Sequence, residues 1–201
     1  MKVIGLTGGI ACGKSTVSEV LRKEGAAIVD ADAIAHELSR PGGGVYDFYV
    51  REFGEGILAA DGTLDRAGIA RRVFSDPALR DEVNARVHPL IRRTAMDRIA
   101  DLREEGHAAV VLDAPLLFEA GWHRLVDESW VVAVPPDVQL MRLMARNPEM
   151  SEAEARARIA AQMPLAEKCA RADIVIDNGG AREDMMRFVA ELWGQRVAPP
   201  A

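Results

Sequence analysis

The chain predicts an α/β protein built on a parallel sheet, and three observations carry that prediction. Short apolar runs such as Val110-Val111-Leu112 and Val131-Val132-Ala133-Val134 alternate along the chain with helical segments, as strands covered on both faces do. One run, Val3-Ile4-Gly5-Leu6, leads directly into Gly8, Gly13, Lys14 and Ser15, the pattern G-x4-G-K-S. A long stretch after the second strand carries helical periodicity alone, which marks an insert rather than a plain crossover.

In chain order, strands are predicted at Lys2–Thr7, Ala27–Asp30, Ala109–Asp113, Glu128–Val134 and Asp173–Asp177. The first helix runs from Lys14 to about Glu24, with Val17, Val20 and Leu21 on one face and Gly25 as its stop. The insert, 32–106, divides into helices near Asp32–Leu38, Tyr46–Phe53, Asp65–Phe74, Pro77–Val87 and Pro89–Glu105. Asp76-Pro77 pairs a cap with a proline in the first turn. His88-Pro89 is read as the break between the last two helices, because an interior proline removes a backbone donor. Pro41-Gly42-Gly43-Gly44 and Ala60-Asp61-Gly62 are turns. After the fourth strand, 141–166 forms a lid-like pair of helices joined by Asn147-Pro148-Glu149-Met150, with Ser151 and Glu154 as a capping box. A last helix at about Arg182–Gly194 packs back on the sheet, and Val197–Ala201 is a tail.

A chain of 201 residues with a net charge of −6 suits one domain with insertions and argues against bulk nucleic-acid binding. No apolar run approaches the ~20 residues of a membrane span, and no basic-then-apolar leader opens the chain. Cys12 and Cys169 are the two cysteines; without metal-ligand spacing they read as reduced thiols of a cytoplasmic protein. Cys12, near a helix N-terminus, is either a reactive thiol or a small filler, the second being the commoner case.

The glycine-rich loop is the feature with the most chemistry. Gly8 and Gly13 let successive N–H groups turn inward onto phosphate oxygens, and the helix opening at Lys14 adds its positive end. Lys14 would reach the β- and γ-phosphates of a nucleoside triphosphate, and the Ser15 hydroxyl would bind Mg²⁺. Asp113 ends the third strand as an acidic metal-site residue would, and Ala114 follows it where a water-activating acid would stand in a motor ATPase. Asp30-Ala31-Asp32 ends the second strand; one aspartate can cap the next helix while the other takes a proton, and Asp32 is the candidate for the chemistry. Pro115-Leu116-Leu117-Phe118-Glu119 forms an apolar wall that core packing alone could explain for Leu116 and Leu117. Arg142 and Arg146, at i, i+4 on one face, are the candidates for arginines brought onto phosphates by a lid. Arg156 and Arg158 divide evenly between that role and a solvated, salt-bridged helix pair.

Together these motifs resemble the dephospho-CoA kinase family. The resemblance spans most of the chain. It runs from Leu6-Thr7-Gly8-Gly9-Ile10 and Cys12-Gly13-Lys14-Ser15-Thr16 through Val29-Asp30-Ala31-Asp32 with Ile34-Ala35-His36. It continues in Gly62-Thr63-Leu64-Asp65-Arg66, Val73-Phe74, His88-Pro89 and Pro115-Leu116-Leu117-Phe118-Glu119, and ends in Ala161-Gln162-Met163, Lys168 and Ala172-Asp173 through Asn178-Gly179. It implies a P-loop kinase fold, a five-stranded parallel sheet in the order 2-3-1-4-5 with a helical substrate-binding insert and a lid. It implies transfer of a phosphoryl group from Mg-ATP to the ribose 3′-hydroxyl of dephospho-CoA by a cytoplasmic monomer. The expected ATP residues are Gly9, Ala11, Cys12, Gly13, Lys14, Ser15, Thr16 and Arg146, with Asp32, Lys14 and Arg142 in catalysis. Asp32, His88 and Leu116 are expected at the acceptor, and Ser15 and Asp113 at the metal. Ala11-Cys12 departs from the small Gly or Ser common in the family, as does Asn147 from its frequent Asp. The rivals are a P-loop kinase of nucleosides or nucleotides and a GTP-dependent switch. The switch would need an Asn-Lys-x-Asp that this chain lacks; Asp65-Arg-Ala-Gly68 matches only a helix opening.

Overall fold

A computed structural model describes residues 1–197, apart from the side chain of Phe74. The predicted tail therefore lies outside the described residues, except for Val197, which closes the last helix. The chain divides into two compact units, one of Met1–Val29 with the chain from Asp101 onward, the other Asp30–Ala100.

The first unit is organised by a five-stranded sheet of β1 (Lys2–Gly8), β2 (Ala27–Asp30), β3 (Ala109–Asp113), β4 (Glu128–Ala133) and β5 (Ile174–Asp177), in the order β2-β3-β1-β4-β5. β1 lies parallel between β3 and β4, with Leu6 beside both Asp113 and Trp130. The apolar runs are largely covered on both faces; every residue of β3 is buried. Helix α1 (Lys14–Lys23) buries Val17, Val20 and Leu21 in the same cluster as Ile4, Leu6, Trp130 and Ile176. The final helix, Arg182–Val197, adds Val189, Leu192 and Trp193 to it, and the Trp193 indole donates to the Glu24 carbonyl at 3.1 Å. At the start of β4, burial works against the Glu128 carboxylate, yet Lys2 at 2.5 Å, Arg196 at 3.0 Å and Trp130 at 3.2 Å hold it below its usual range.

The second unit is helical: α2 (Ala31–Leu38), α3 (Gly44–Phe53), α4 (Arg66–Ser75) and α5 (Pro77–Glu104), whose last turn passes into the first unit. Ile57, Leu64 and Ile69 form its small core with Tyr46, Tyr49 and Phe53 against them. The Ala60-Asp61-Gly62 turn is present, with Asp61 accepting from the Thr63 hydroxyl at 2.6 Å and Tyr46 donating to the Gly62 carbonyl at 3.0 Å. Asp65 caps α4 by accepting the Gly68 N–H at 2.9 Å, which accounts for the Asp-x-x-Gly match.

The predicted break at His88-Pro89 is wrong. α5 runs unbroken for 28 residues with Pro89 inside it. Proline costs one backbone bond there, but the buried side chains Val83, Ile91, Ala95 and Ile99 recur in multiples of four and keep one stripe across the proline. A continuous apolar face outweighs a single lost donor. A second departure is a short helix the periodicity did not single out, Leu165–Arg171, led by Pro164 and containing a buried lysine, Lys168. The lid-like segment consists of α6 (Pro136–Arg146) and α7 (Glu152–Ala160), the latter opened by the predicted Ser151–Glu154 capping box. In order, α8 is Leu165–Arg171 and α9 is Arg182–Val197.

Candidate active site

The glycine-rich loop joins β1 to α1, and its shape is set by two left-handed residues. Gly13 has φ 88°, and a Cβ there would lie 2.2 Å from the Asn178 amide nitrogen, so only glycine fits. Ala11 has φ 61° and is the one non-glycine in that region among the described residues. A left-handed residue beside a right-handed one turns successive N–H groups to one side, the concavity that binds anions. The N–H groups of Ala11, Gly13, Lys14 and Ser15 have no protein acceptor among the described residues. They are the first donors of α1 and the loop before it, and an anion is what would satisfy them.

Three side-chain amides from distant parts of the chain grip this loop. Gln139 of α6 donates to the Ile10 carbonyl at 3.0 Å, Gln162 after α7 accepts the Ile10 N–H at 2.8 Å, and Asn178 after β5 donates to the Cys12 carbonyl at 2.8 Å. Sequence reasoning passed over Gln139. Its one signal is an amide among the apolar positions of α6, where burial demands partners; it is 4% exposed.

Lys14 does not extend into solvent. Its ammonium pairs with the Asp113 carboxylate, whose second oxygen accepts the Ser18 hydroxyl at 2.6 Å. Asp113 is buried at the end of β3, so a cation and a hydroxyl donor are what allow its charge to persist there. Cys12 is a core residue rather than a reactive thiol. Burial pushes its thiol up to about 11, against smaller opposing effects that include the positive charge of Arg142. On α6, Arg142 is half-buried, whereas Arg146 ends the helix exposed. Arg156 pairs with Glu152 at 2.7 Å in an exposed i, i+4 contact, the solvated alternative.

The wall after Asp113 divides. Leu117 and Phe118 are buried, but Leu116 is 41% exposed, so packing accounts for the first pair and not for Leu116. The Pro115 carbonyl accepts from Thr7 at 3.0 Å and from Lys168 at 2.9 Å. Lys168 also pairs with Glu119 at 2.8 Å, and Glu119 accepts the Met163 N–H at 3.2 Å. Lys168 and Glu119 thus brace the wall, a role the sequence reading did not assign to these two motif residues.

In the second unit, Asp30 is the helix cap: its carboxylate accepts the N–H groups of Asp32 and Ala33 at 2.9 and 3.0 Å. Asp32 is exposed in the first turn of α2, two residues beyond the end of β2. His88 is half-buried within α5, and desolvation lowers its pKa, which favours the neutral imidazole.

Residues 2–184 match the family model described as dephospho-CoA kinase. The chain belongs to the dephospho-CoA kinase family. A dephospho-CoA kinase of Symbiobacterium thermophilum is 52% identical over 193 residues, covering 96% of this chain and 80% of that protein. A crystal structure from Thermus thermophilus, titled TT1252, superposes with a TM-score of 0.81 at 38% identity, covering 96% of this chain and 97% of that one. The dephospho-CoA kinase of Campylobacter jejuni does so with a TM-score of 0.75 at 26% identity and 98% coverage of each chain. The sheet order agrees with the P-loop kinase fold of the family. The switch and nucleotide-kinase rivals give way to this match, which runs through the helical unit as well as the loop.

Proposed function

We propose that the chain transfers the γ-phosphoryl group of ATP to the ribose 3′-hydroxyl of 3′-dephospho-CoA, giving CoA and ADP, the last step of coenzyme A biosynthesis. The observation that carries this is the loop's set of unclaimed N–H groups beside Lys14 and Asp113, in a chain matched across 2–184 by the dephospho-CoA kinase family.

In this reading Gly9, Ala11, Cys12, Gly13, Lys14, Ser15 and Thr16 hold the triphosphate through backbone donors and the lysine, with Arg146 joining from α6. Phosphoryl transfer asks mostly for alignment and charge neutralisation. Lys14 and Arg142 supply positive charge, and Asp32 orients the 3′-hydroxyl and accepts its proton. His88 and Leu116 contact the acceptor; a neutral imidazole and an exposed leucine suit the uncharged parts of such a molecule. The insert 32–106 forms the acceptor subdomain, and 141–166 the lid.

The residues present fit Mg²⁺. That ion keeps several waters and binds through few carboxylates plus substrate phosphates, and among the described residues no cluster of three or more His, Cys, Asp or Glu exists that would build an all-protein cage. Exposed Ser15 would ligate it and Asp113, already bonded to Lys14 and Ser18, would act through water. When bound with ATP the ion neutralises phosphate charge. Among the described residues no helix is long and apolar enough to cross a membrane, and the net charge of −6 argues against bulk nucleic-acid partners; a cytoplasmic monomer completes the proposal.

The test is ADP release with ATP and, in turn, dephospho-CoA, AMP, CMP and uridine. Turnover with dephospho-CoA alone is expected; turnover confined to a nucleotide or nucleoside overturns the assignment.

A further inference from the structure

The Ile10 peptide is held from both sides by α6–α7. Gln139, near the start of α6, donates to its carbonyl at 3.0 Å, and Gln162, just past the end of α7, accepts its N–H at 2.8 Å. Ile10 and Ala11 also pack on the apolar cluster of Leu143, Met150 and Ala155 that joins the two helices. Immediately after the clamped carbonyl comes Ala11, at φ 61°. An L-residue with a Cβ does not rest there unaided. The Ile10 carbonyl belongs to the peptide plane that turns about the φ bond of Ala11, so the hydrogen bond from Gln139 restrains that torsion directly. The bond to Gln162 fixes the other side of Ile10, so the plane cannot escape by moving the residue as a whole.

We propose that Gln139 and Gln162 are positioning residues for ATP: by clamping Ile10 they hold Ala11 left-handed, which keeps the N–H groups of the loop turned toward the triphosphate. The loop and the α6–α7 segment then share one junction, and ATP affinity depends on amides that touch no phosphate. The inference rests on the loop being the ATP site of the proposed reaction.

The experiment compares wild type, Gln139→Met, Ala11→Gly and the double variant. Methionine keeps the length of the side chain and removes the donor. Gln139→Met is expected to raise the KM for ATP about tenfold, the worth of one hydrogen bond, with the KM for dephospho-CoA unchanged and kcat within about threefold. Glycine takes the left-handed conformation without strain, so Ala11→Gly added to Gln139→Met is expected to recover most of the lost ATP affinity. A framework residue would give no such rescue. An unchanged KM for ATP in Gln139→Met, or a double variant as impaired as the single one, overturns the proposal. If circular dichroism shows Gln139→Met unfolded, Gln162→Met carries the same comparison; if neither folds, the glutamines are framework residues and the proposal fails. Titration calorimetry with ATP reads the same variants without turnover. Wild-type protein that binds ATP yet does not phosphorylate dephospho-CoA would sink the proposed reaction while leaving the clamp open to this measurement.

Discussion

The carboxylate of Asp30 accepts the backbone N–H of Asp32 at 2.9 Å, and that single contact assigns different tasks to two aspartates two positions apart. Asp30 satisfies the first donors of α2 and is a structural cap. Asp32 stands in the exposed first turn with the role of cap already filled. Asp32→Asn is therefore expected to cut kcat by roughly 10²–10⁴-fold with little change in ATP affinity. Asp30→Ala is expected to lower stability by about 1 kcal/mol. Steady-state kinetics beside thermal unfolding separates the two, and near-normal turnover in Asp32→Asn would remove it from the chemistry.

Lys14→Met has two consequences because the lysine has two partners in the cycle. It removes the phosphate-binding charge, so ATP affinity and kcat are both expected to fall. It also leaves the buried Asp113 carboxylate with only the Ser18 hydroxyl, which costs stability. Adding Asp113→Asn to Lys14→Met is expected to restore part of the melting temperature without restoring turnover. Differential scanning calorimetry of the two variants checks this.

Gly13→Ala places a Cβ 2.2 Å from the Asn178 amide at φ 88°. Asn178 must then release the Cys12 carbonyl or the loop must open. ATP binding measured by calorimetry is expected to weaken by 10-fold or more, given roughly 1–2 kcal/mol for a left-handed Cβ alone. Affinity equal to wild type would show that the loop adopts another shape in solution.

Cys12 is expected to resist alkylation. With its thiol at about 11, about one molecule in a thousand carries the thiolate at pH 8, and the sulfur is buried besides. Mass spectrometry after iodoacetamide at pH 8 is expected to find native Cys12 unmodified and urea-unfolded Cys12 fully modified. Rapid native labelling would make the loop cysteine a redox site after all.

His88 links stability to acid. Its folded pKa lies below the unfolded value of about 6.5 because burial disfavours the imidazolium. The unfolded chain therefore binds more protons, and stability is present in full above pH 6.5 and falls as pH drops below it. His88→Gln is expected to flatten the change in melting temperature between pH 7.5 and 5.5. An unchanged slope would place the acid sensitivity elsewhere.

Much of this molecule was legible in one dimension because its signals are local. The loop spacing, the fully apolar strands, the Ser151–Glu154 capping box and the Asp76-Pro77 helix start each depend on neighbours within a few residues. The break assigned to Pro89 failed for the opposite reason: the packing stripe from Val83 to Ile99 spans 17 positions and outweighs the local rule. Local sequence nominated Asp32 for the chemistry and a filler role for Cys12, but only the hydrogen bonds of Asp30 and the burial of Cys12 show the cap and the buried thiol.

The sequence by itself determined the strand–loop–helix that grips phosphate and, through its order of motifs, the family. Only the tertiary structure decided what holds that loop in shape. Gln139, Gln162 and Asn178 lie between 129 and 166 residues along the chain from the loop residues they bind, yet meet them within 3.0 Å. Gln162 and Asn178 stand in motifs of the resemblance and Gln139 among the apolar positions of α6, but none of these signals names a partner, because the partner is a backbone group that every residue possesses. Folding alone brings the two together, and burial then makes the bond obligatory.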